Sequence, residues 1–243
     1  MNKSLKKNGF TFKQFFVAHD KSPMKITTDS VLLGAWAAIK PTPNRILDIG
    51  TGCGVIALML AQRLKYADSQ IDAIDINQDA ITQCQQNNDI SPFKSINIIY
   101  DDVNHYALQH SHCYDLIISN PPYFATAVEC RNIARQHARY TSTLNHVQLL
   151  NHAKQMLISN GRCCLVLPWH ILSAFTAQAK QMGWFIERIL HVKYNPQYSY
   201  TLALISLILQ PCQLIESELC MRNSDKSYTQ EFKTLLQDFY LRF

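Results

Sequence analysis

The chain is poor in glycine, poor in charge and without a paired metal-ligand motif, and each shortage closes off a class of protein. Seven glycines in 243 residues make no glycine-rich linker or low-complexity block, and no internal repeat is visible. Charged residues are only 17% against 47% hydrophobic, which suits a chain that buries a large core in one main domain. No apolar run reaches the ~18 residues of a membrane span. The polar, lysine-bearing start from Met1 to Lys7 does not read as a secretory signal, so a cytoplasmic protein is expected. Eight cysteines are scattered singly apart from Cys163-Cys164, with no C-x-x-C pair, so buried free thiols are expected. His19, His105, His110, His137 and His146 show no ligand spacing either, and no metal is expected.

Three of the few glycines fall together. Ile46-Leu47-Asp48-Ile49-Gly50-Thr51-Gly52-Cys53-Gly54-Val55 is an apolar strand entering a glycine turn, and Ile56 to Ala61 continues it as an amphipathic helix. Such a turn lets backbone come close to a ligand. A dinucleotide loop has the form G-x-G-x-x-G, but here the third glycine comes one position early and Val55 stands in its place, which argues against NAD or FAD. Downstream, the run 71–75 closes on Asp75, at about the distance where an acidic residue reaches a ribose hydroxyl pair. Asp75 could also help cap the helix starting near Asn77, although Asn77 can cap it unaided. Cys53 could line the loop, but nothing marks it as a nucleophile.

The second chemical motif is Asn120-Pro121-Pro122-Tyr123, directly after the apolar run 115–119. Prolines cannot donate backbone hydrogen bonds, so carbonyls around Asn120 and Pro121 project as free acceptors beside the Asn side-chain oxygen. Two acceptors can hold one exocyclic NH2, and Tyr123 can stack on the ring that carries it. Alone, such a tripeptide also suits an ordinary strand-to-loop turn. The glycine loop upstream gives it chemical meaning.

Alternating patterns imply parallel βαβ units. Helices are predicted at 29–38, 53–64, 77–88, 144–158 and 170–182, and strands at 45–49, 70–75, 96–100, 115–120, 162–167, 184–192 and 200–209. Asn160-Gly161 is expected to cap the fourth helix, and Gly183 to close the fifth. The loop holding Asn195-Pro196 is too short for a helical crossover, so the last two strands should pair antiparallel.

The net charge of +5 fits an anionic partner without requiring one. Lys3, Lys6, Lys7 and Lys13 are interleaved with Phe10, Phe12, Phe15 and Phe16. Arg131, Arg135 and Arg139 recur at i, i+4 spacing after Tyr123. Both groups suit phosphates, though rows of this kind are often simply solvated faces.

The D-x-G-x-G-x-G loop resembles the first motif of class I S-adenosylmethionine-dependent methyltransferases. That resemblance implies an α/β, Rossmann-like fold: a mostly parallel seven-stranded sheet with a C-terminal antiparallel hairpin. It also implies an acidic residue at the end of strand 96–100 against the cofactor adenine, for which Asp102 is chosen over Asp101. Members with the Asn-Pro-Pro-Tyr motif act on adenine N6, guanine N2 or glutamine amide nitrogen. The segments Phe12 to Asp20, Met24 to Trp36, Val128 to Cys130, Arg135 to Thr141, Tyr228 to Glu231 and Asp238 to Leu241 are similar to the bacterial tRNA1(Val) adenine-37 N6-methyltransferases. The likeness departs at Phe124 to Ala127, where relatives carry more polar residues, and over 191–200.

The resemblance implies one domain over 1–243, whose segment 1–40 contributes to the cofactor and RNA sites. S-adenosylmethionine is then held by Lys25, Asp29, Asp48, Gly50, Gly52, Gly54, Asp75, Asp102 and Asn120. Asn120, Pro121, Pro122 and Tyr123 hold the base of the anticodon stem-loop, and Arg135, Arg139, Lys6, Lys7 and Lys13 grip its phosphates. A protein glutamine, or another amino nitrogen of ribosomal RNA or DNA, is the alternative substrate.

Overall fold

The computed structural model describes residues 8–39, 41–93, 96–121 and 146–243, and begins with a hairpin that the sequence patterns did not announce. Strands β1 (Gly9–Thr11) and β2 (Phe16–Ala18) pair antiparallel. The phenylalanines around them serve the core. Phe12 and Phe15 are buried and stack at 4.5 Å, and both join the cluster that contains Phe232 and Phe239 near the C-terminus.

Helix α1 (Thr28–Trp36) leads to β3 (Arg45–Ile49), α2 (Val55–Arg63), β4 (Gln70–Asp75), α3 (Gln78–Ile90) and β5 (Ile96–Tyr100). Then come α4 (Val103–Gln109), β6 (Tyr114–Ser119), α5 (His146–Met156), β7 (Leu157–Pro168), the 3₁₀ turn Trp169–Ile171 and α6 (Leu172–Gln181). Strands β8 (Phe185–Lys193), β9 (Tyr200–Ile208) and β10 (Ile215–Cys220) precede α7 (Gln230–Leu236). The main sheet has eight strands in the order β10-β8-β9-β7-β6-β3-β4-β5. Strands β7, β6, β3, β4 and β5 are parallel, and β9 runs antiparallel to both β7 and β8, as the short Asn195-Pro196 connection requires. The predicted seven strands are extended by β10, whose sequence Ile215-Glu216-Ser217-Glu218 is exposed and lacks the apolar alternation that would betray a strand.

Apolar residues fill both faces. One cluster gathers α1, α2, the hairpin and α7; the other gathers α4, α5 and α6. This explains why β3 and β6 carry apolar residues on both faces, Ile46 and Leu47 in one and Leu116 and Ile117 in the other: a parallel strand covered on both sides has no wet face. No described helix is long and apolar enough to cross a membrane.

The expected cap at Asn160-Gly161 does not form. Helix α5 ends at Met156 and the chain passes straight into β7. Pairing jumps from Tyr114↔Leu157 to Leu116↔Arg162, so Asn160 and Gly161 sit in a bulge. A side chain at Gly161 would meet Leu157 Cδ2 at 2.7 Å and the Tyr114 carbonyl at 3.0 Å. Close approach to the neighbouring strand demands this glycine. Gly183, by contrast, does close α6, with φ +82°.

The parallel strands end level. Ile49 pairs with both Ile74 and Ser119, and Asp75 with Tyr100. Gly50, Ile76, Asp101 and Asn120 therefore emerge along one carboxyl edge, where open α/β sheets bind ligands.

Candidate active site

The glycine loop is built on positive φ angles: +71° at Gly50, +57° at Gly52 and +83° at Gly54. Any other residue would be strained there. The loop is fastened to β4, because Gly50 N–H and Thr51 N–H both donate to the Ile74 carbonyl, at 2.9 and 3.0 Å. At Gly54 a side chain would also collide with Cys84 Sγ at 2.6 Å, whereas one at Gly50 would meet nothing within 4 Å. The loop is thus packed beneath and open above.

Asp48 lies in β3 with no exposed surface. Its Oδ2 accepts the Thr51 hydroxyl at 2.7 Å, and Oδ1 has no hydrogen-bond partner among the described residues. Burial pushes its carboxyl up to about 7, against the opposing Thr51 bond. Asp75 has a second task that its spacing did not reveal. One oxygen accepts Gly52 N–H at 2.9 Å and the other Asn77 N–H at 2.8 Å, so it braces the loop. Burial raises its carboxyl while these two bonds lower it. Asn77 caps α3 itself, accepting from Ala80 N–H at 3.0 Å.

Asp102 is the N-cap of α4, its Oδ1 accepting from the backbone and the side-chain amide of Asn104. Asp101 accepts the Asp102 N–H and pairs with His105 at 2.9 Å. Both carboxylates stand at the end of β5. Between Asp75 and Asn77 the apolar Ile76 is 46% exposed, an uncovered branched side chain at the carboxyl edge. Its place next to a strand-ending acid is the one signal of it in the sequence.

Asn120 follows β6. Its Nδ2 donates to Ser30 Oγ at 2.8 Å, so the carbonyl oxygen Oδ1 is turned the other way, and no described residue donates to it. Ser30 is buried in the first turn of α1 beside Asp29, with Thr27 Oγ1 at 3.4 Å. Its role was not legible, since it lies 90 positions from its partner. Pro121 is buried; Pro122, Tyr123, Arg135, Arg139, Lys6 and Lys7 lie outside the described residues. Lys25 is exposed in the segment before α1. The exposed Lys13 donates from Nζ to the Gln237 carbonyl, and its N–H to Phe239 O at 2.8 Å, tying the hairpin to the C-terminal segment.

The described cysteines are all free. Burial pushes the Cys53 thiol up to about 12 and raises Cys84 as well, which leaves both unreactive near neutral pH. Among the described residues no cluster of His, Cys, Asp and Glu suits a metal ion. Surface grooves of about 290 and 370 Å³ run along α6 and β8 and are lined by none of these loop or strand-end residues.

Residues 28–178 match the methyltransferase small domain family. The chain is 44% identical over 238 residues to the tRNA1(Val) (adenine(37)-N6)-methyltransferase of Photorhabdus laumondii, covering 98% of this chain and 97% of that one. Its counterpart from Proteus mirabilis is 46% identical over 244 residues, covering 98% and 95%. This chain belongs to that family of S-adenosylmethionine-dependent enzymes. In fold it is similar to a "predicted O-methyltransferase" from Agrobacterium tumefaciens, with TM-score 0.64 and 16% identity over 86% of this chain and 95% of that one. It is also similar to a ribosomal protein L11 methylase from Lactobacillus delbrueckii, with TM-score 0.52 and 15% identity over 74% and 77%. The methyltransferase's Rossmann-like sheet with its antiparallel insertion is therefore the fold that the glycine motif implied.

Proposed function

We propose that this methyltransferase places a methyl group on N6 of adenine 37, in the anticodon loop of tRNA1(Val). The observation that carries the reading is identity of 44–46% over nearly the whole chain to enzymes of that name. The hydrogen bond that turns Asn120 Oδ1 away from Ser30 gives it a chemical basis.

The site suits the cofactor. The open space over Gly50 admits a ligand against bare backbone, and the carboxyl of Asp48, whose Oδ1 is unpartnered, lies beneath the loop, where the ammonium group of a ligand would favour its ionised form. S-adenosylmethionine brings a methyl group already activated on a sulfonium, so the chain needs no nucleophile of its own. Gly50, Gly52 and Gly54 then lie under the amino-acid part, flanked by Lys25 and Asp29. Asp75 accepts from the ribose hydroxyls with the lone pairs left over from bracing the loop. Ile76 offers an apolar wall to the adenine, and Asp102 an acceptor for its amino group.

The target base must leave the loop stack, at a cost of a few kcal/mol that is smallest for an unpaired nucleotide. Asn120 Oδ1 and the Pro121 carbonyl accept the two N6 hydrogens, and Tyr123 stacks on the ring. Holding both hydrogens out of the ring plane directs the nitrogen lone pair toward the methyl group. Catalysis here is positioning more than acid–base work. Arg135, Arg139, Lys6, Lys7 and Lys13 are the proposed phosphate contacts, the segment 1–40 belongs to both sites, and the enzyme works in the cytoplasm.

The test is methyl transfer from labelled cofactor into total tRNA of a strain lacking the gene, followed by mapping of the product. N6-methyladenosine 3′ to the anticodon of the valine tRNA is expected. Methylation only of a protein glutamine, which the same acceptor pair would also hold, overturns the substrate assignment.

A further inference from the structure

Residues 18–30 run as a strap from the hairpin to α1, and hydrogen bonds fix them at three places. At the start, Asn87 on α3 has no exposed surface. Its Oδ1 accepts Ala18 N–H at 2.9 Å, and its Nδ2 donates to the Ala18 carbonyl at 2.8 Å. One turn earlier on the same helix face, the buried Gln83 accepts Lys21 N–H at 3.0 Å. In the middle, Ile26 N–H donates to His19 Nδ1 at 3.3 Å, folding the strap on itself. At the far end Ser30 takes the Asn120 amide. Between these points Ser22 is buried, its Oγ 3.9 Å from where a side chain on Gly52 would begin. The strap therefore passes over the glycine loop and ends on the residue that holds the base.

Asn87 makes a further bond. Its Nδ2 also donates, at 2.8 Å, to the carbonyl of Cys53, inside the glycine loop. A residue that merely fastened α3 to the hairpin would have no need of that contact. One buried amide thus grips the strap and the loop together, with both its donor hydrogens used. We infer that Asn87, assisted by Gln83, is a positioning residue that fixes the strap against the glycine loop and so forms the pocket for the amino-acid end of S-adenosylmethionine. This rests on the proposed placement of the cofactor over residues 50–54. The physical gain is preorganisation: a strap already held by helix side chains is not ordered at the expense of binding. Neither contact uses the carboxylates of Asp75 and Asp102 that are assigned to the ribose and the adenine.

That division gives the test. Affinities of the full-length protein for S-adenosylmethionine and for 5′-methylthioadenosine, which lacks the amino-acid group, are measured by calorimetry for wild type, Asn87→Leu and Gln83→Met. Asn87→Leu is expected to weaken S-adenosylmethionine by about tenfold or more and methylthioadenosine by less than about threefold. Gln83→Met, which removes only the Lys21 bond, should move the ratio the same way by about threefold. It decides the matter if Asn87→Leu does not fold. Equal losses for both ligands, or an unchanged ratio in the folded variants, overturn the inference. Asp102→Ala serves as control for the placement itself: assigned to the adenine that both ligands carry and not bonded to the glycine loop, it should weaken both ligands alike, and no effect on either would sink the placement and not the strap.

Discussion

Asp48 and Asn120 show how much a single side chain is governed by its partners. A buried Asp that holds its proton to about pH 7, against 3.8 for an ordinary one, makes stability fall as pH rises. Between those values the folded state binds the extra proton, so stabilisation is complete below about pH 4 and is lost as pH climbs through 7. Denaturant unfolding of the cofactor-free protein at pH 5 and pH 8 should differ by a few kcal/mol from this source, and Asp48→Asn should flatten the difference. A flat wild-type profile would count against the buried charge. Asn120→Ala should leave cofactor affinity nearly intact and slow methyl transfer about 100-fold or more, as loss of one oriented catalytic dipole does. Ser30→Ala keeps Asn120 but frees its amide to turn and releases the far end of the strap, so a loss of kcat of roughly tenfold is expected, with a smaller loss of cofactor affinity. Matching losses in binding and turnover would refute this division. At this scale the sequence announced what sits at strand ends: three glycines, Asp75 and Asn120 follow apolar runs in order. It hid Ser30 and Asn87, whose partners lie 90 and 69 positions away and which carry no local pattern.

Elements were legible wherever burial imposed a pattern on them. The strands at 45–49, 70–75 and 96–100 form at their predicted bounds, because each is a short run rich in branched apolar residues and bounded by turn residues. Strand β10 and helix α4 failed that criterion, one being exposed and the other only seven residues long. The hairpin carried no such pattern. Phenylalanines interleaved with lysines suit RNA and suit a core equally well, and only tertiary structure shows Phe12 and Phe15 facing the C-terminal cluster. The Asn160-Gly161 pair satisfied the helix-cap pattern, yet Gly161 serves a bulge where β6 leaves no room for a side chain. Gly161→Ala should therefore destabilise the protein by about 1–3 kcal/mol, the usual cost of forced overpacking. A helix cap would respond with φ-dependent strain instead, but Gly161 is not among the glycines of positive φ. Denaturant midpoints compared with Gly183→Ala, which does sit at positive φ, would show each glycine's cost; an unchanged midpoint for Gly161→Ala would remove the steric argument.

At the scale of the whole molecule the question is how a chain of modest net charge, +5, holds a polyanion in register with Asn120. Phosphate contacts set affinity and position the RNA, whereas the pocket reads the base. If Arg135 and Arg139 grip phosphates, tRNA binding should weaken steeply with salt, and replacing either should lower the slope of log affinity against log salt by roughly one unit. Lys13 provides an internal comparison. Its ammonium already serves the Gln237 carbonyl and ties the hairpin to the C-terminal segment, so Lys13→Ala should change the slope less than either arginine. Cofactor affinity should stay constant across the series, because none of these residues is among those proposed to hold the cofactor. Adenine specificity should persist too, since the acceptors at Asn120 and Pro121 are untouched. Arginines that only solvate a surface would leave the slope unchanged, and the RNA would then have to be held by other cations of the chain.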